Sequence, residues 1–151
     1  MRRLSGVAAA RVRALGLEET SPGILGYAAD YAPPRLALEK LIMVPHGRTP
    51  SNERMLFQSH AEGPNATLLP SSLDEAALGA EAFLAEHGAR YAASPAEFRF
   101  SRSPLRRCVE TAAVYLDAFE KRGLARPEVA VDEGLLEIDH ASWHGLTVDE
   151  V

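Results

Sequence analysis

The stretch Leu41-Ile-Met-Val-Pro-His-Gly-Arg-Thr-Pro-Ser-Asn52 constrains the chain most, because a short apolar run stops abruptly at a histidine followed by Gly, Thr and Asn. Leu41 to Val44 is too short a run for a helix, and Pro45 and Gly47 both punctuate regular structure. The pattern predicts a strand over 41–44 that delivers His46 into a loop. In an open α/β sheet, ligands sit beyond the carboxyl ends of strands, so His46 stands where a substrate arrives. A histidine there serves as nucleophile, base or metal ligand, and the rest of the sequence must choose among these roles.

Composition narrows the choice. With 151 residues, 46% apolar and 25% charged, the chain has the make-up of a soluble globular domain with a real core. No apolar run approaches the roughly 20 residues a bilayer needs, so no membrane partner is expected. The net charge of −5 argues against a general nucleic-acid binder. A lone cysteine, Cys108, allows no internal disulfide and no cysteine-rich metal site, and it makes a reducing compartment, the cytoplasm, the default.

The first residues carry Arg2, Arg3, Arg11 and Arg13 among alanines with no acidic residue before Glu18, a composition shared with organellar transit peptides. An alanine- and arginine-rich surface helix from Val7 to Leu15, stopped by Gly16, explains the same residues and is the preferred reading. From Ser21-Pro-Gly to Ala32-Pro-Pro34 the chain reads as turns and linker. Residues 1–39 are therefore expected to be an N-terminal extension or linker, and residues 40–151 the folded domain.

Past the histidine loop, residues 53–71 are rich in turn formers and show no periodicity. A helix follows, with Ser72 as its cap, Asp74 and Glu75 at the positive end of its dipole, and an apolar face of Leu73, Ala76, Ala77, Ala80, Phe83 and Leu84. Gly88 is expected to stop it, which makes His87 a helix-end residue rather than a second reactive histidine. A strand is predicted over Glu97 to Ser101, where Phe98 and Phe100 alternate with Arg99. It feeds a helix capped by Ser103, opened by Pro104, striped by Leu105, Cys108, Ala112, Tyr115, Leu116 and Phe119, and ended by Gly123. Arg102, Arg106 and Arg107 crowd the positive end of that helix, where they repel one another and an anion would relieve them. A third short strand, Val129 to Val131, completes a β-α-β-α-β order that favours an α/β fold with a mostly parallel, twisted sheet and flanking helices.

Three segments, Val44-Pro-His-Gly-Arg-Thr-Pro-Ser-Asn52, Ser103-Pro-Leu-Arg-Arg-Cys-Val-Glu-Thr-Ala112 and Leu136-Glu-Ile-Asp-His-Ala-Ser-Trp-His-Gly-Leu-Thr147, occur in this order, each expected at a strand end. Together they resemble the histidine phosphatase superfamily, the group of phosphoglycerate mutase-like proteins, over roughly residues 40–151. The resemblance implies that His46 is the nucleophile that becomes a phosphohistidine, which needs a neutral imidazole with one bare nitrogen. It implies that Arg107 grips the phosphoryl oxygens, a task suited to a planar bidentate donor. Glu137 falls on the acid that protonates the leaving oxygen and later assists water, a role needing a raised pKa. Thr49 and Asn52 match polar positions that hold the loop or reach the phosphate. No metal or other cofactor is implied, since the positive groups supply the charge neutralisation.

The departures bear on activity. The family places arginine before the nucleophile, and here stands Pro45, with neither guanidinium nor backbone N–H. Losing one aligned donor costs on the order of 10²- to 10³-fold in rate. Arg48 stands where glutamate or glutamine is usual and Ala141 where glycine is usual. The family's second active-site histidine has no counterpart, so the chain reads as the N-terminal part of the domain, with uncovered apolar edges that favour self-association. Two readings follow: phosphatase or mutase-like phosphoryl transfer to a small phosphorylated substrate through His46, or a non-catalytic phosphate-binding member or inactive fragment. A zinc reading of His140 and His144, which are four apart, is disfavoured because Gly145 and the lack of a glutamate after His140 spoil the pattern.

Overall fold

The computed structural model describes residues 38–60 and 62–151, together with the backbone of an N-terminal hairpin. The expected helix over 7–15 lies outside the described residues. The chain divides into two compact units, Met1–Ile42 and Met43–Val151.

In the first unit, β1 (Leu17–Ser21) and β2 (Ile24–Tyr27) pair antiparallel, with Leu17 opposite Tyr27 and Ser21 opposite Ile24. The reading of residues 21–34 as turns and linker is corrected at Ser21 and Ile24–Tyr27, which are paired strand residues, and the register shift between Glu19 and Ser21 accommodates the extra residue of a bulge.

In the second unit a short helix, α1 (Pro50–Glu53), precedes the long helix α2 (Pro70–Ala93). Pro70 occupies the first helical position, where its missing N–H costs nothing. The cap position is Leu69, so Ser72 does not cap the helix as expected; it lies within the first turn, buried. Nor does the helix stop at Gly88. Ser72, Ala76, Ala80, Leu84 and Gly88 form a buried row at every fourth position, and a Cβ added at Gly88 would meet Leu124 at 3.6 Å. A helical glycine costs about 1 kcal/mol against alanine, and Gly88 stays inside the helix on the buried face beside Leu124, where an added Cβ would make only ordinary contact. His87 is accordingly inside the helix, with its ring against Phe83. Termination comes at Ser94, whose N–H reaches back to Arg90 O at 2.9 Å, because the residue before Pro95 is driven out of the helical region.

The strand expected over 97–101 is displaced. Pro95–Glu97 is a single 3₁₀ turn, and β3 runs Phe100–Arg102. It pairs in parallel with β4 (Val129–Val131), Phe100 opposite Val129 and Arg102 opposite Val131, and Asp132 N–H extends the ladder to Arg102 O at 2.9 Å. Between them lies α3 (Arg106–Lys121), giving the β-α-β crossover that parallel pairing requires. The helix begins later than Ser103-Pro104 predicted, with Leu105 as cap. It ends as expected at Gly123, whose φ of +68° an L side chain rarely adopts.

The core lies between α2, α3 and the sheet: Ala80, Leu84, Tyr91, Ala118 and Phe119, surrounded by Phe83, Phe98, Phe100, Tyr115 and Leu124. Tyr91 meets Phe119 edge-to-face at 4.8 Å, one of the geometries that ring quadrupoles favour, and its hydroxyl donates to Ala125 O at 3.0 Å. The buried face of α3 also carries Arg107 and Thr111, neither of which belongs to the predicted stripe.

The strand predicted over 41–44 is absent. Leu41, Ile42, Met43 and Val44 make no ladder, and Leu41 and Met43 are 71% and 81% exposed. A four-residue run cannot satisfy strand hydrogen bonds by itself, and no strand among the described residues lies beside it. No helix among the described residues is long and apolar enough to cross a membrane.

Candidate active site

His46 is half-buried, and its Nδ1 lies 2.8 Å from the carbonyl oxygen of Gly47. A carbonyl only accepts, so Nδ1 carries the proton and Nε2 of the neutral ring keeps its lone pair. Gly47 N–H donates to Thr111 Oγ1 at 3.0 Å, and that hydroxyl donates to Arg107 O at 2.7 Å. The loop is thereby fastened to the first turns of α3. On its other side it touches the start of α2: a Cβ at Gly47 would sit 3.1 Å from Ser72 Cβ and 3.2 Å from a Leu68 methyl.

Thr49 is fully buried and caps α1. Its N–H donates to Asn52 Oδ1 at 2.9 Å, its hydroxyl lies 2.9 Å from the same oxygen and 3.0 Å from Gln58 Oε1, and it accepts from Asn52 N–H at 3.4 Å. The pair forms a reciprocal capping box. Of the two roles open to these residues in the sequence, the bonds made are those of holding the loop.

The three arginines expected to repel one another separate. Exposed Arg106 pairs with Glu110 at 2.7 Å, and its backbone N–H at the start of α3 donates to Glu62 Oε1 at 3.0 Å. Arg102 bonds its own neighbour, Ser103 O, at 3.2 Å. Arg107 turns inward and is 2% exposed. Its Nη1 donates to Ser59 O at 3.3 Å, its Nε has no partner, and among the described residues no carboxylate pairs with it. Burial alone would raise the Glu110 carboxyl, but the Leu68 N–H, Arg106 and the Thr67 hydroxyl hold it below the usual range.

Ser59, buried beside Arg107, joins this helix to the tryptophan segment. Its hydroxyl donates to Asp139 Oδ1 at 2.5 Å and accepts from His140 N–H at 3.2 Å, while its own N–H donates to His144 Nδ1 at 3.2 Å. The Ser59 hydroxyl, then the Ala141 N–H, hold the Asp139 carboxyl below its ordinary value. Next along the chain, His60 Nε2 donates to Glu137 O at 2.5 Å. Glu137 is exposed, with Oε1 accepting from Ile138 N–H at 2.8 Å. Burial pushes the Cys108 thiol up, against the pull of Arg107, and the Glu137 carboxylate adds to the rise.

The tryptophan segment is a 3₁₀ turn, Ala141–Trp143, pinned by Phe57 N–H to Leu146 O and Gly145 N–H to Phe57 O, each 2.9 Å. Phe57 packs on the rings of His140 and Trp143 at 5.1 and 5.5 Å. His140 and His144 therefore share no α-helical face, and Nδ1 of His144 already accepts a backbone N–H. Arg48 is exposed and bound to Glu75 at 2.6 Å, leaving position 45 without a substitute guanidinium from that side chain.

A continuous set of bonds thus links His46, Arg107 and Glu137 through Gly47, Thr111, Ser59 and His60. Thr111 lies in one of the quoted segments yet reads there as a plain helix position, and Ser59 falls in the stretch without periodicity, where no local signal marks it.

A family model described as the histidine phosphatase superfamily, branch 1, matches residues 41–151. Among solved structures, the chain is similar to a mycobacterial glucosyl-3-phosphoglycerate phosphatase in complex with VO3, at 28% identity and a TM-score of 0.50, covering 70% of this chain and 43% of that one. It is likewise similar to a mycobacterial hydrolase, at 28% identity and a TM-score of 0.50, covering 69% of this chain and 41% of that one. The chain spans less than half the length of these two proteins. No curated protein matches it.

Proposed function

This chain belongs to the histidine phosphatase superfamily, branch 1, and we propose that it carries the phosphoryl-accepting half of a phosphatase site acting on a small phosphomonoester. Nε2 of His46 attacks phosphorus and the P–O bond to the leaving group breaks. Glu137 supplies the proton that the departing oxygen takes up. Water, giving a proton to the Glu137 carboxylate, then attacks the phosphohistidine and breaks the P–N bond, returning His46 and Glu137 to their starting states and releasing inorganic phosphate. When Nε2 is phosphorylated the ring gains positive character, which the Nδ1–H to Gly47 carbonyl bond stabilises. Thr49 and Asn52 keep the loop in shape.

The observation that carries this reading is Arg107. Arg107 is a buried guanidinium with no carboxylate partner among the described residues, an unfavourable arrangement whose penalty an arriving phosphoryl group removes. The bond relay from Arg107 O through Thr111 to Gly47 ties the arginine's helix to the nucleophile loop.

A second reading, phosphate binding without turnover, draws support from Pro45, which offers neither a side-chain nor a backbone donor next to His46. Hydrolysis of a chromogenic phosphate ester, measured alongside vanadate binding, separates the two. Turnover abolished by His46→Ala supports the phosphatase; vanadate binding with no turnover supports the second reading; neither signal removes both.

A further inference from the structure

We propose that Ser59 is a positioning residue that sets the Glu137 acid against the phosphate-binding helix; the proposal rests on the phosphatase reading above and names a residue that reading does not use.

Three groups of this one buried residue serve two segments, α3 and the stretch around Trp143. The carbonyl receives Arg107 Nη1 at 3.3 Å, the N–H is given to His144 Nδ1 at 3.2 Å, and the hydroxyl donates to Asp139 at 2.5 Å while accepting from His140 N–H at 3.2 Å. The turn that follows Glu137 is thereby held near both of its ends to the residue that touches Arg107. His60, the next residue, takes the Glu137 carbonyl directly. The arrangement requires a small side chain with a single oxygen that both donates and accepts. Alanine supplies neither function, and the site is only 3% exposed, so water cannot easily replace the hydroxyl.

Displacement of Glu137 harms the reaction only where the leaving oxygen needs its proton. An alkyl phosphate leaves as a strongly basic alkoxide and depends on the acid, whereas p-nitrophenolate departs without one. The test compares kcat/KM for glycerol phosphate and p-nitrophenyl phosphate. Ser59→Ala should lower the first by about 10²-fold, the low end of what a positioned acid contributes, and leave the second nearly unchanged. Asp139→Ala should behave in the same way and carries the test if Ser59→Ala does not fold, while Asp139→Asn, which retains an acceptor oxygen for the Ser59 hydroxyl, should keep activity on both esters. Equal losses on the two esters, or no loss on either, would overturn the role of Ser59 alone. A wild-type chain that hydrolyses neither ester would overturn the phosphatase reading and this proposal together.

Discussion

Thr111 holds Gly47 across 64 residues of sequence: its Oγ1 receives the Gly47 N–H at 3.0 Å while donating to the carbonyl one turn back on its own helix. One hydroxyl thus connects the nucleophile loop to α3. Thr111→Val preserves shape and removes the oxygen, leaving the Gly47 N–H without that partner. The expected loss is about 1–3 kcal/mol, read as a lower urea midpoint at unchanged slope, with Thr111→Ser retaining most of the stability.

Arg107 is expected to trade stability for affinity. Replacing a buried ionic group by an apolar side chain of similar volume is often neutral or stabilising by about 1–4 kcal/mol. Arg107→Met should therefore melt no lower than the wild type and yet lose vanadate binding. A melt several degrees lower, with binding retained, would show that the guanidinium is a structural element.

Ala141 has φ +46°, a region costing an L-residue about 1–2 kcal/mol. Glycine removes that strain but gains freedom in the unfolded chain. Ala141→Gly should raise the unfolding free energy by about 1 kcal/mol or less, with the Asp139 to Ala141 N–H bond kept. Destabilisation on denaturant titration would contradict the strain argument.

Glu110 supplies the acid-side pH dependence. Its carboxyl is held below the usual range while it binds Leu68 N–H, Thr67 and Arg106. A depressed folded pKa means that the contribution is complete above the unfolded value of about 4.3, and is lost as pH falls through the lower folded value. Unfolding free energies measured from about pH 6 to about pH 3 should fall less steeply for Glu110→Gln than for the wild type.

How far the sequence disclosed this molecule depended on whether a feature was local. β4 and the end of α3 at Gly123 were readable because apolar runs and a left-handed glycine act over a few residues. Gly88 misled for a related reason: glycine reads as a stop, while tertiary contact with Leu124 makes it an interior residue. The apolar run 41–44 had the composition of a strand, but a strand needs a neighbour, which the described residues do not supply. At the site, His46 stood out by its place after an apolar run, whereas Arg107 and Glu137 were named only by the resemblance of their segments to the family. The inward turn of Arg107, and the work of Ser59 and Thr111, depend on bonds between residues dozens of positions apart.

The phosphoryl group on His46 is the most direct test. The chain is mixed with a phosphomonoester, quenched in alkali, where phosphohistidine survives, and digested for mass spectrometry. The account predicts one phosphate on the peptide containing His46, located on the imidazole, and none in His46→Ala. Hydrolysis that continues in His46→Ala, or a phosphate found on another side chain, would contradict it.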